Sequence, residues 1–186
     1  MKLLSRYSLA LTLALAVATV LLAVHSVAAD EQGMTVPSAD DLKRVSANCY
    51  TIKSSLNQLH VSDALLRVNR GQVYDSLSSK LMERFNTRLS NNGLDAKNLT
   101  ATTKSYNNTL TSFRNDYQTY EEQLSAAIAI DCTKQPANFY IAVENARTKR
   151  SQVHNDVVAL SHYIDEYSND VNDFQKTFQI NQGSSK

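Results

Sequence analysis

Tryptophan is absent from this chain, and 186 residues contain four glycines, two prolines and two cysteines. So few turn-forming residues leave no means of building the many tight corners of a β-sandwich, a barrel or a βαβ array. They also supply no glycine-rich loop to cradle a phosphate. An excess of charge is lacking as well: 19 Lys and Arg face 18 Asp and Glu, a formal net charge of +1. That balance offers no broad attraction to nucleic acid or to an anionic surface. The length suits one domain, or two very small ones. What remains is an all-α chain.

Catalytic and metal constellations are missing too. No G-x-S-x-G elbow occurs. Adjacent acids such as Glu121-Glu122 and Asp165-Glu166 point to different sides of a helix and share no proton. On the first and third helices of such a layout, His60 and His154 lie some ~18 Å apart in height, too far to share a metal. His154 and His162 are also out of chelating reach, and all three read as surface histidines. Neither cofactor, metal nor catalytic residue is expected, and the chain is not read as an enzyme.

One long apolar run is present. Leu9 to Val24 is apolar apart from Thr12 and Thr19, follows Lys2 and Arg6, and leads to Val27-Ala28-Ala29. A basic start, an apolar middle and small residues at −3 and −1 predict a secretory signal over residues 1–29, cleaved after Ala29. The competing reading is an uncleaved anchor, since the run approaches the ~17–25 residues of a spanning helix. Membrane contact is expected only in that second case. No Cys follows the run, which excludes a lipoprotein anchor. Cleavage leaves 17 basic against 18 acidic groups, placing the mature chain in the periplasm or cell envelope, or secreted.

Beyond a linker at 30–37, apolar positions step by threes and fours through three segments of a bundle spanning 38–179. Residues 38–92 open on Ser38 with Asp41 three residues on, an N-cap with an acid at the electropositive helix start. The stripe runs Leu42, Val45, Cys49, Ile52, Leu56, Leu59, is disturbed, and resumes at Val73, Leu77, Leu81, Phe85 and Leu89. Gly93 ends it in a left-handed cap. Residues 95–131 carry Leu99, Thr103, Tyr106, Leu110, Phe113, Tyr117, Tyr120, Leu124 and Ala127. Residues 136–179 begin on Pro136, tolerated in a first turn, and keep the spacing from Phe139 to Phe178 with Arg150 the one polar member. Residues 180–186 read as a frayed tail.

Two short turns between long 3-4 repeats predict an elongated antiparallel three-helix bundle of coiled-coil type, as against one extended oligomeric coiled coil. Equal rise per residue then sets Arg147, Lys149 and Arg150 level with Glu121, Glu122 and Asp116. It sets Lys80, Arg84 and Arg88 near Asp165, Glu166, Asp170 and Asp173. Such matching fixes which helices pair.

The same geometry brings Arg70 and Arg150 to one height with Tyr117 and Tyr120, in a polar layer across the bundle. A buried charge needs a partner, so Asp63, Asp116 or Glu121 is expected to answer the arginines. The layer reads as a register pin with a weak kink at Gly71; the alternatives are a cavity for a small anionic ligand and a hinge. Cys49 and Cys132 lie within ~7 Å of level, which predicts a disulfide and an oxidising compartment. Asn98-Leu99-Thr100 and Asn107-Asn108-Thr109 match the glycosylation acceptor pattern.

The series Asp131-Cys132, Pro136, Phe139, Ala146-Arg147, Arg150, Val153 and Tyr163-Ile164 resembles the C-terminal half of uncharacterised secreted coiled-coil proteins of small-genome, candidate-phyla bacteria. The likeness runs from about Leu81 to Tyr167. It implies export and a long helical region and brings no activity. In size and export alone, the chain is also similar to the periplasmic chaperone family of trimeric helical tentacles, from which its neutral charge and two-turn layout depart.

Two functions fit. One is a non-enzymatic envelope scaffold or spacer with a protein partner. The other is an extracytoplasmic binding module or holdase-like chaperone that uses exposed apolar surface and Tyr50, Tyr74 and Tyr140. A continuous exposed apolar patch favours binding, and a uniformly polar exterior favours a spacer.

Overall fold

The structure, a computed structural model, describes residues 36–183, with side chains to 180. The signal segment, its cleavage point at Ala29 and most of the linker lie outside the described residues. Within them the chain is helical, with no strand, and no helix is long and apolar enough to cross a membrane.

Helix α1 (Ala39–Ala47) starts where the sequence places it. Ser38 Oγ accepts from the Asp41 N–H at 3.2 Å and the Asp41 carboxylate accepts from the Ser38 N–H at 3.1 Å, which satisfies two otherwise orphaned donors. The predicted single helix over 38–92 is not continuous. It is interrupted at Asn48, whose Nδ2 donates to the Arg44 carbonyl at 2.9 Å. Helix α2 (Cys49–Ser76) follows, then a π-helical segment (Leu77–Met82) and α3 (Glu83–Asn91).

The π segment overturns part of the expected stripe. Val73 and Leu81 are half exposed, and the buried positions are Tyr74, Ser78, Met82, Asn86 and Leu89. Steps of four drift by ~40° each on an α-helix; the wider π turn absorbs that drift and keeps this set facing inward. Buried tyrosines hold both ends of the segment. Tyr106 Oη donates to the Tyr74 carbonyl at 3.1 Å and Tyr167 Oη to the Met82 carbonyl at 3.3 Å.

Gly93, at φ 69°, then closes α3. Its N–H reaches the Ser90 carbonyl at 3.0 Å, and the Leu94 N–H reaches the Leu89 carbonyl at 3.0 Å. This is the paired-bond helix stop for which glycine is suited.

Helix α4 (Lys97–Ala129) buries every one of its nine predicted stripe residues, with Thr102 added. Helix α5 (Pro136–Gly183) begins at Pro136 as expected and continues past 179 to Gly183, since no proline or glycine interrupts it before that residue. The connection between α4 and α5 is tied by Asp131 Oδ1, which accepts the N–H groups of Thr133 and Lys134 at 3.1 and 3.2 Å. Those bonds hold the exposed Asp131 carboxyl below its ordinary pKa.

Cys49 and Cys132 form a disulfide with Cα atoms 5.5 Å apart and 83 residues between them in sequence. Closing so long a loop contributes on the order of 4 kcal/mol in the chain-entropy account. Nearby, Lys53 Nζ donates to the Ile130 carbonyl and Ser46 Oγ to that of Thr133, both at 3.2 Å. Further along, Asp63 meets Tyr120, Asp75 meets Arg114, and Asn86 meets Thr103. As numbers rise on the first segment, their partners fall on α4.

Helix α2 passes through Gly71 uninterrupted. A Cβ added there meets nothing within 4 Å. Gly71→Ala is therefore expected to raise unfolding stability by about 0.5–1 kcal/mol, read by urea denaturation. A loss of stability would show that the site needs glycine's freedom.

Candidate functional site

The polar layer is built around Asp63, the one charged residue buried among the described residues (8% exposed). Its Oδ2 accepts from Tyr120 Oη of α4 at 2.7 Å and from Arg150 Nε of α5 at 2.7 Å. Its Oδ1 accepts from Arg150 Nη2 at 3.2 Å. Burial pushes the Asp63 carboxyl up, but the bonds from Arg150 and Tyr120 outweigh it and hold the group below the ordinary carboxylate value. The Tyr120 phenol is driven far upward by burial and by the same carboxylate.

These bonds span an opening. No Cα of α2 lies within 8 Å of one in α5, closer to separation than to the 8–10 Å axial distance of packed helices. Between them is a cavity of about 760 Å³, walled by α2 and α5 and floored by Phe113, Tyr117 and Tyr120 of α4. One core, around Tyr106, Phe113 and Leu160, lies to one side; a smaller one, around Leu124 and Ala146, lies to the other.

Of the five residues expected in the layer, Asp63, Arg70 and Arg150 line this cavity with Tyr117 and Tyr120. Arg70 is exposed and does not share the carboxylate. Glu121 turns aside, bonded to Tyr117 Oη at 3.0 Å and to His60. His60 is thus half-buried and paired, contrary to its reading as a surface histidine. Asp116 belongs to a different pair. It faces Asp156 of α5, whose carboxyl is raised to about 6 by burial and by Asp116. Asp156 Oδ2 is buried without a hydrogen-bond partner among the described residues, and protonation of the carboxyl relieves its repulsion with Asp116.

No ion pair joins the expected basic and acidic clusters among the described residues. Arg150 answers Asp63 on α2, Arg147 reaches Glu144 on its own helix at 3.8 Å, and Asp173 holds Lys176. Asp170 accepts from Thr102 Oγ1 at 2.6 Å. Helix rotation, which height alone does not specify, decides these partners.

Three further polar residues line the cavity: Arg67, Arg147 and His154. Spacing marks them, since Asp63, Arg67, Arg70 and Tyr74 step by four, three and four along α2, and Arg147, Arg150 and His154 by three and four along α5. Arg67 lies over the Tyr117 ring, 5.1 Å from its centroid, a cation–π contact.

A second surface lies on the opposite side of α2. Tyr50, Ser54, Asn57, Val61, Leu65, Val68 and Gln72 are all exposed and follow one another by threes and fours. Val61 and Leu65 are 61% and 63% exposed. Tyr74 is buried and Tyr140 half-buried, so neither joins Tyr50 in the expected patch. Among the described residues no group of three His, Cys, Asp or Glu side chains is placed to hold a metal. No protein-family model, curated protein or solved structure matches this chain.

The two carboxyl environments shape stability against pH in opposite directions. Asp63, depressed on folding, stabilises above the unfolded carboxylate pKa of ~3.9 and loses that contribution as pH falls through its own value. Asp156, raised to about 6, favours the fold at low pH and loses that contribution as pH rises through 6. Asp156→Asn, whose amide donates to Asp116 without ionising, is expected to stabilise by about 1 kcal/mol at pH 8 after allowance for solvent screening. The gain should fall to about a third of that at pH 4.5, still above the unfolded carboxylate pKa. Thermal melts at the two pH values check this, and an equal effect at both contradicts the raised Asp156 pKa.

Proposed function

We propose that this chain is an exported, non-enzymatic structural protein of the cell envelope, an elongated antiparallel three-helix bundle of coiled-coil type that pairs with a second copy through the outer face of α2. Export is supported by the N-terminal basic-apolar-small pattern and by a disulfide, which persists in oxidising compartments. The antiparallel layout is supported by partners that fall in number on α4 as residues rise along the first segment.

The observation that carries the pairing is the outer face itself. From Tyr50 to Gln72 its exposed positions hold apolar and uncharged polar side chains, and the one cation at its margin, Lys53, is bonded to the Ile130 carbonyl, although one residue in five of the chain is charged (20%). A charged partner finds nothing there to pair with, whereas the same face on a second copy meets it without like-charge repulsion. A two-fold axis between Val61 and Leu65 lets these side chains exchange places across the contact, as an isologous interface requires. The helix is 28 residues long, or ~42 Å, enough for a lengthwise contact near the ~800 Å² per partner of a standard interface.

Sedimentation equilibrium of the chain purified with its disulfide formed is the test. Wild type should dimerise with a dissociation constant on the order of micromolar. Val61→Asp/Leu65→Asp should be monomeric with an unchanged far-UV circular dichroism spectrum. A wild type that stays monomeric to ~100 μM, far above that constant, or a variant that associates equally well, overturns the proposal.

A further inference from the structure

We infer that the cavity between α2 and α5 is a binding site for an organic anion, a molecule with a flat apolar body and a carboxylate, phosphate or sulfonate group. The site is independent of the pairing face, which lies on the other side of α2.

Charge comes first. Arg67, Arg70, Arg147 and Arg150 line one cavity in which the single acid is Asp63, and Asp63 is already engaged by Arg150 and Tyr120. Four guanidinium groups against one carboxylate leave the cavity strongly positive in a chain whose net charge is +1. Like charges gathered around one opening repel unless an anion joins them. Two of the four have donors to spare. Arg70 forms no ion pair among the described residues, and Arg147 has only the 3.8 Å contact with the exposed face of Glu144. Guanidinium groups suit oxyanions because their paired N–H donors match two oxygens of a carboxylate, phosphate or sulfonate.

Shape and lining supply the rest of the ligand. Leu66, Tyr74, Phe113, Val153 and Val157 give the cavity apolar walls and an aromatic floor, so a bare inorganic ion leaves most of it unfilled. A volume of about 760 Å³ falls within the ~300–1,000 Å³ typical of small-molecule sites. The opening is also fixed in place. Helices α2 and α5 are held apart by α4 and joined across the gap by the Asp63–Arg150 ion pair, so the walls are set before a ligand arrives, and little ordering cost falls on binding. His154 and Ser151, also in the lining, add polar groups beside the arginines.

The probe is 1-anilinonaphthalene-8-sulfonate, an aromatic sulfonate, compared with N-phenyl-1-naphthylamine, which has the same rings and no charge. Fluorescence titration of wild type should show saturable binding of the sulfonate at one site per chain, with much weaker binding of the uncharged compound. Arg70→Gln/Arg147→Gln should weaken the sulfonate by at least about tenfold, the scale of one lost charge-assisted hydrogen bond, and leave the uncharged compound unchanged. Arg70→Lys/Arg147→Lys, which keeps charge and loses the paired donors, should fall between. Because both arginines are exposed, the substitutions should leave the far-UV spectrum intact. Val61→Asp/Leu65→Asp, on the pairing face, should leave sulfonate binding as in wild type. The inference fails if the sulfonate does not saturate, if the glutamine variant binds it as tightly as wild type, if the uncharged compound binds equally, or if binding is lost with the outer-face variant.

Discussion

The carboxylate of Asp63 joins three helices at once. It sits on α2, accepts the Tyr120 hydroxyl of α4 and takes two guanidinium donors from Arg150 of α5. Removing a buried charge from water is costly, and only partners on every side offset that cost. Here the partners come from both neighbouring helices, so the register of α2 against the other two is specified at this point. On either side of it the chain relies on apolar packing, with the larger core toward the π segment and the smaller toward the disulfide. Between the two cores the helices stand apart, and the ion pair crosses the space.

The legible part of this architecture was the part set by local spacing. The α4 stripe from Leu99 to Ala127 could be read in full, because a helix packed between others carries one unbroken inward face. The Ser38 cap, the Gly93 stop and the Pro136 start follow from the demands of helix ends alone. Height along the helices placed Arg70 and Arg150 together and Cys49 beside Cys132. Rotation about each helix was not legible. It sends Asp116 to Asp156 and Glu121 to His60, and it shifts the inward face from Val73 and Leu81 to Tyr74 and Met82. That last change depends on the π segment, bracketed by the Tyr74 carbonyl before it and the Met82 carbonyl at its end, which accept from Tyr106 and Tyr167 of distant stretches of sequence. No local pattern announces such a partner.

Helix α2 is where fold and proposed function meet. Its inner face buries little beyond Asp63 and Tyr74, and the exposed positions of its outer face carry apolar and uncharged polar side chains. A helix so lightly held from within, with exposed Val61, Leu65 and Val68 on its far side, is suited to the proposed contact with a second copy. The open space on its inner side, lined by arginines and floored by aromatic rings, is the consequence of holding α2 off α5. The proposed pairing surface and the proposed anion site both follow from this one placement.

That placement rests on Asp63 and Arg150 acting as a pair, and a double-mutant cycle measures this directly. Unfolding free energies of wild type, Asp63→Ala, Arg150→Ala and the double variant, taken at pH 7 with the disulfide intact, yield the coupling between them. A coupling of about 1–2 kcal/mol is expected for a half-exposed arginine bonded to a buried carboxylate. Additive effects, agreeing within about 0.3–0.5 kcal/mol, would mean that the two side chains do not hold α2 to α5.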